Sequence, residues 1–298
     1  MSVSPTPTLS DVEKYWQEHP AGEHEVAYLS EDQRRFFNER DRQTMSLYPT
    51  LDEDYGFARA DGKLTLESGC GMGYNAQRLA QCGARLLVLD LALRAVRMTR
   101  ERFALRGLHA CFLVADAEHL PFENESLEMV FASGVIHHSP DTQLAASEIV
   151  RVLRPEGMAT VMIYHRNSIW FWWNISIVLG TLMWIIHHLP YALREIVLDL
   201  RPSWRDFVLP QGQKLRFADV IRAGTDFGGL RNPISRVFTK RQAQGLLEGL
   251  CDFQFVTGFN RFRAFQQAPS VWVRLGRWIS AVIYTRWGWF LVVHARKL

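Results

Sequence analysis

From Lys63 to Tyr164, short apolar runs alternate with stretches of helical period, and this alternation constrains the fold more than any other feature. The runs cover residues 63–67, 85–90, 111–115, 127–132 and 158–164, and each is rich in Val, Leu, Ile or Phe. Strands with that composition are buried on both faces. Strands separated by helices pair in parallel, with the helices as crossovers. The spacing predicts a helix over 74–82, with Ala76, Leu79 and Ala80 inward and Gly83 as its stop. It predicts a second over 141–153, with Ala145, Ile149, Val152 and Leu153 on one face, followed by a turn at Arg154-Pro155-Glu156-Gly157.

After Tyr164 the rhythm breaks, and the next strand patterns are at 253–259 and 289–295. No flexible linker marks a boundary, so the intervening stretch reads as a largely helical insertion on the sheet. The first 50 residues carry charged helical patterns at 11–17 and 31–44, suited to capping the sheet. The expected organisation is a helical cap (1–62), a ligand-binding core (63–165), a helical insertion or lid (166–250) and the final core strands (251–298).

The first strand runs into Glu67-Ser68-Gly69-Cys70-Gly71-Met72-Gly73, and a helix follows. Glycines there permit a tight turn and let a ligand approach backbone N–H groups at a helix N-terminus. Dinucleotide dehydrogenases space them G-x-G-x-x-G. This chain has G-x-G-x-G, with an acidic residue two positions before the first glycine, which suits a cationic ligand better than a pyrophosphate. Asp90 ends the second strand, where it could accept both hydroxyls of a ribose, and Asp116 follows the third, where Asp116-Ala117-Glu118 would sit beside an adenine edge. All three carboxylates fall on the carboxyl edge of one sheet, where open α/β sheets bind ligands.

With these residues in view, the chain resembles class I S-adenosylmethionine-dependent methyltransferases. Within that class it resembles the small-molecule enzymes related to ubiquinone and menaquinone biosynthesis. The resemblance rests on 66–73, 88–90, Asp116 to Phe122, Ser133 to His138 and Arg151 to Gly157. It implies a Rossmann-like α/β sheet of seven strands, the last antiparallel, with S-adenosyl-L-methionine over its carboxyl edge. It further implies that Glu67, Gly69 and Gly71 hold the methionine moiety, with Gly73 also in the cofactor site. Asp90 would hold the ribose, Asp116 and Ala117 the adenine, and Ser133 would lie near the methionine. Ser68 departs from the pattern, since the family usually has an aliphatic residue there.

Methyl transfer from a sulfonium is an in-line displacement, so alignment and exclusion of water supply much of the acceleration. A base is needed only when the acceptor arrives protonated. His137 and His138 follow the fourth strand on the reactive edge, Asp141 is close enough in sequence to orient one of them, and His165 ends the fifth strand at the same edge. His137, His138 and Asp141 are the catalytic candidates. Each also has a plainer reading as a packing or capping group. An Asn/Asp-Pro-Pro-aromatic run after the fourth strand would mark methylation of base amino groups. Ser133-Gly134-Val135-Ile136 stands there instead, which disfavours a nucleic-acid substrate.

Charge is split along the chain: residues 1–165 sum to −8 and residues 166–298 to +11, and nine of the ten tryptophans lie in the basic part. Such a split suggests different partners for the two parts. No charge occurs between Arg166 and Arg194, so 169–189 is long and apolar enough to be a membrane candidate. A single crossing would separate the last strands from their own sheet. The remaining readings are a lid over an apolar acceptor, a helix lying in a membrane interface, or a shallow re-entrant hairpin. A second Trp/Arg-rich segment, 271–289, adds to the interface reading. Four cysteines without paired spacing indicate neither a zinc site nor a disulfide framework, and His187-His188 lacks further ligands, so no metal is expected. Reduced thiols and the absence of a secretory pattern point to the cytoplasm, at the inner face of a membrane if the interface reading holds. The expected activity is O- or C-methylation of a hydrophobic small-molecule or lipid-like acceptor. The alternatives are a membrane-associated scaffold that binds the cofactor without turnover and, more remotely, a nicotinamide oxidoreductase.

Overall fold

Along the central strands, successive residues are buried on opposite sides. Val130 and Ala132 join Val161, Ile163, Leu291 and Val293 in one apolar layer, while Met129 and Phe131 join Met162 and Val292 in the other. A sheet buried on both faces follows, with helices on each side. The computed structural model describes residues 7–20, 23, 26, 31–210, 212–226, 229–258 and 287–298.

Three helices precede the sheet: α1 (Leu9–Glu18), α2 (Gln33–Leu47) and α3 (Leu51–Tyr55). The alternating part then runs β1 (Leu64–Ser68), α4 (Tyr74–Gln81), β2 (Arg85–Asp90), α5 (Leu93–Arg106), β3 (Cys111–Val114), β4 (Leu127–Ser133), α6 (Thr142–Val152) and β5 (Leu153–His165). A ten-residue π-helix (Trp170–Leu179) continues directly into α7 (Gly180–His188), followed by α8 (Tyr191–Leu200) and α9 (Phe217–Thr225). The chain closes with β6 (Val237–Phe238), α10 (Lys240–Leu246), β7 (Leu250–Gly258) and β8 (Phe290–Lys297).

The sheet order is β3-β2-β1-β4-β5-β8-β7, with β6 paired to β5 off this path. β8 runs antiparallel to both of its neighbours, and every other pairing is parallel. This is the expected Rossmann-like α/β sheet with its last strand antiparallel. The order reverses between β1 and β4, and a crevice opens there at the carboxyl ends of the strands. Helices α6 and α10 cover one face, and α3, α4 and α5 cover the other.

Two expectations need correction. The described residues hold eight strands, not seven. β5 outruns β4, whose ladder ends at Ser133↔Met162, and β6 takes over that edge at Tyr164↔Val237 and His165↔Phe238. A two-residue strand carries no periodic signal, so the insertion conceals it. The Arg154–Gly157 turn is a break inside β5. The register jumps from Leu127↔Leu153 to Met129↔Met158, and Glu156 takes a positive φ of 66°.

The insertion has its own small core, in which Phe171, Ile175, Met183, Val220 and Ala223 pack with Tyr164 of β5 and with Trp289. Gly224 allows α9 to approach the π-helix, since a Cβ there would lie 2.9 Å from two carbons of Ile175. The opposite side of these helices is bare: Trp172, Trp173, Trp184, Tyr191 and Leu200 are all more than half exposed. Trp170–His188 has the length and composition to cross a membrane. Of the second apolar segment, residues 271–286 lie outside the described residues.

Candidate active site

Gly69, Gly71 and Gly73 all adopt positive φ (77°, 52° and 76°), which bends the chain sharply between β1 and α4. Two of them are also excluded from bearing a side chain by contact. A Cβ on Gly69 would sit 2.1 Å from Val135, and one on Gly73 would sit 2.6 Å from Thr99. At Gly71 no protein atom lies within 4 Å of an added Cβ, and that open side borders the crevice. The crevice holds a cavity of about 320 Å³, within the range that takes small molecules and cofactors.

Gly69, Gly71, Asp90, Asp116, Ala117, Ser133 and His138 all line this cavity, as the sequence leads one to expect. Asp90 accepts the N–H groups of Gly71 and Ala92, each at 2.9 Å. Burial raises its pKa, and these N–H groups work against that rise. Asp116 accepts the Glu118 N–H at 2.9 Å and holds His119 at 3.2 Å. Ser133 pairs its hydroxyl with that of Tyr55 at 2.9 Å. Glu67 lies just behind the glycine turn, and neither of its carboxylate oxygens has a hydrogen-bond partner. Burial, reinforced by nearby Asp90, pushes its pKa well above the usual carboxylate range. A buried carboxylate without a partner is costly unless a cation joins it. The cationic, ribose-bearing cofactor expected from the sequence meets that need, with Glu67 for an ammonium and Asp90 and Asp116 for the nucleoside. The site therefore fits S-adenosylmethionine.

The catalytic candidates separate. His137 is fully buried, has no partner on either ring nitrogen, and packs 4.2 Å from the rings of both His138 and Tyr164. Burial and the neighbouring His138 and Arg236 hold its pKa well below the usual value, so it is a neutral packing group away from the cavity. Asp141 caps α6, accepting the Leu144 N–H at 2.9 Å, and orients neither histidine. His165 is buried, with Nδ1 bonded to the Gly288 carbonyl at 3.0 Å. Only His138 reaches the cavity. Its Nδ1 lies 2.7 Å from the Ile234 carbonyl, and its Nε2 lies 3.8 Å from the Asp226 carboxylate. Among the described residues no cluster of metal-ligating side chains occurs.

Asp226 is the residue that sequence reasoning missed. It accepts from the Tyr164 hydroxyl at 2.7 Å, the Asn232 amide at 2.6 Å and the Thr225 hydroxyl at 3.2 Å. Burial and this carboxylate push the Tyr164 pKa well up, so the phenol stays a donor. The one available signal was compositional: an acidic residue flanked by Thr and followed by Asn, in a basic and apolar stretch. The cap was also under-read, because Trp16 and Tyr48 line the same cavity, where they meet Arg102 of α5. Arg102 is fully buried, bonds Asp41 at 2.6 Å and Gln77 at 3.0 Å, and sits over the Phe37 ring.

Residues 66–161 match the family model described as "Methyltransferase domain". The match covers β1 through most of β5, the part that carries the glycine turn and the carboxylates. "Methyltransferase GfsG" of Streptomyces halstedii is 32% identical over 124 residues, which are 41% of this chain and 42% of that protein. "Phthiotriol/phenolphthiotriol dimycocerosates methyltransferase" of Mycobacterium leprae is 39% identical over 98 residues, 32% of this chain and 36% of that protein. The chain thus spans well under half the length of these curated relatives. Among solved structures, the "[4+2]-Cyclase SpnF" superposes with a TM-score of 0.54 at 17% identity, covering 99% of this chain and 98% of that one. That likeness extends the shared fold over the cap and the insertion.

Proposed function

We propose that this chain is a class I S-adenosylmethionine-dependent methyltransferase whose acceptor is a hydrophobic small molecule or lipid-like compound. The observation that carries the reading is the unpartnered Glu67 carboxylate behind a glycine turn whose cavity also exposes Asp90 and Asp116. The matches to methyltransferases over the same residues support it.

When bound, S-adenosylmethionine supplies an electrophilic methyl group on a sulfonium. Glu67 would take its ammonium, Asp90 its ribose hydroxyls, and Asp116 with Ala117 its adenine. The rings of Trp16, Tyr48, Tyr164 and Phe290 wall the cavity, exclude water and favour an apolar acceptor. The bare tryptophans of the insertion, with Lys214 and Arg216 exposed beside Phe217, suit a helix pair lying on an anionic bilayer surface at the cytoplasmic side. β6, β7 and β8 all return to the sheet, so the apolar helix would lie along the bilayer without crossing it.

The test is calorimetric titration of S-adenosylmethionine and its demethylated product into the purified chain, with and without anionic vesicles, followed by sedimentation of the vesicles. Binding of the cofactor with co-sedimentation is expected. Absence of cofactor binding at millimolar concentration would overturn the enzyme reading. Cofactor binding without co-sedimentation would make the insertion a lid only.

A further inference from the structure

The geometry points to His138 as the base that takes the proton from a hydroxyl acceptor, with Asp226 as the positioning residue beside it. This inference rests on the methyltransferase reading and narrows it to O-methylation of a phenol-like acceptor.

A backbone carbonyl can only accept. The 2.7 Å contact with the Ile234 oxygen therefore fixes the proton of neutral His138 on Nδ1 and leaves the lone pair on Nε2. Nε2 faces the carboxylate of Asp226 at 3.8 Å, too far for a hydrogen bond and close enough for charge to act on charge. A proton arriving on Nε2 converts the ring to a cation beside an anion. Asp226 is held in place by the donors already described, with the Tyr164 hydroxyl on one oxygen and Asn232 and Thr225 on the other. The ring's orientation is fixed as well, by the Trp16 ring at 5.1 Å and the His137 ring at 4.2 Å.

Tyr164, 5.8 Å from the His138 ring, begins a run of flat aromatic rings along the cavity wall. Tyr164 and Phe290 lie at 6.1 Å and Tyr48 and Phe290 at 5.6 Å, both pairs stacked, and all three residues line the cavity. Such walls accept a planar body bearing a hydroxyl. In the step, the acceptor O–H bond breaks and its proton goes to Nε2. The oxygen lone pair forms a bond to the methyl carbon, and the carbon–sulfur bond breaks with its electron pair staying on sulfur. The products are a methyl ether and a thioether, and the imidazolium then returns its proton to solvent.

The test uses the full chain with S-adenosylhomocysteine and a nonyl-substituted nitrophenol as the probe. Long-range proton–nitrogen NMR of histidine-labelled protein should show His138 protonated at Nδ1 and bare at Nε2, with the Nε2 signal moving when the probe is added. The bound probe should show its visible phenolate band. His138→Gln should reduce the ratio of ionised to neutral probe about tenfold, a change of about 1.4 kcal/mol, with probe and product affinity held within about twofold. Asp226→Asn should lower the band without weakening probe binding, and Tyr164→Phe should give a smaller loss in the same direction. A proton on Nε2, or a phenolate band that survives His138→Gln, would overturn the proposal. Failure of the probe to bind would overturn the phenolic class. Failure of S-adenosylhomocysteine to bind would instead overturn the methyltransferase reading, and the NMR result would still decide the state of His138.

Discussion

The two sides of the cavity are built in opposite ways. The side proposed for the cofactor comes from residues 67–73, 90 and 116, which sit at strand ends within one stretch of chain and offer backbone shape and carboxylates. The side proposed for the acceptor is assembled from Trp16, Tyr48, His138, Tyr164, Asp226 and Phe290, which line the cavity from the cap, the core, the insertion and the last strand. A site of the first kind is fixed once the strands pair. A site of the second kind depends on how separate pieces pack.

The largest expected effect tests whether the cap belongs structurally to the cofactor side. Asp41 of α2 neutralises buried Arg102 of α5 and also pairs with Arg106 at 2.7 Å. Asp41→Ala leaves the Arg102 charge buried and uncompensated, which should cost about 3–5 kcal/mol of stability in urea denaturation. A loss below about 1 kcal/mol would mean that the cap is only draped on the core. Next in size, Asp90→Ala should weaken S-adenosylmethionine binding by about 1.5–3 kcal/mol, the worth of hydrogen bonds to a charged group. An unchanged dissociation constant in a folded variant would misplace the ribose.

The pH dependence sharpens the same side. Glu67 has a raised pKa in the empty fold, so the stability it contributes is full below the ordinary glutamate value of 4.5 and is lost as pH rises through its own higher value. A cationic ligand needs the ionised form. Cofactor affinity should therefore rise with pH across that window, and calorimetry in buffers of different ionisation heat should record proton release on binding at its lower end. Affinity independent of pH with no proton released would remove Glu67 from the ammonium site. The smallest effect on the fold belongs to the other region. Changing Trp172, Trp173 and Trp184 together to Ser should shift stability by about 0.5 kcal/mol or less per site and leave cofactor affinity alone, while abolishing vesicle sedimentation. Undiminished sedimentation would exclude this face as the membrane contact.

What was legible in the sequence follows the same division. Strand periodicity, the spaced glycines and the strand-end carboxylates are local signals, so the sheet and the cavity-lining positions from Gly69 to Ser133 could be read directly, whereas the antiparallel last strand was implied only by the family resemblance. The choice between His137 and His138 could not, because adjacent residues differ only in which way they turn. His138 turns towards Ile234 and Asp226, two residues nearly a hundred positions away. Asp141 illustrates the opposite error: closeness in sequence suggested a partner for histidine, whereas a residue just ahead of a helix more readily caps it. β6 stayed hidden because two residues carry no period, and the cap's share of the cavity because nothing in a charged amphipathic helix says what its apolar face covers.

The short pairing of β6 with the end of β5 also bears on how such a chain can change over generations. The excursion from His165 to Val237 leaves the end of β5 and returns on β6, which pairs beside that same end. Its ends are therefore held together whatever lies between them. Closing a loop twice as long costs only about 0.6 kcal/mol more. Helices could be lengthened, exchanged or made less apolar there while the register of the sheet and the carboxylates at its edge stayed as they are. The two-residue strand is thus the place where a change of acceptor can be separated from any change in the cofactor.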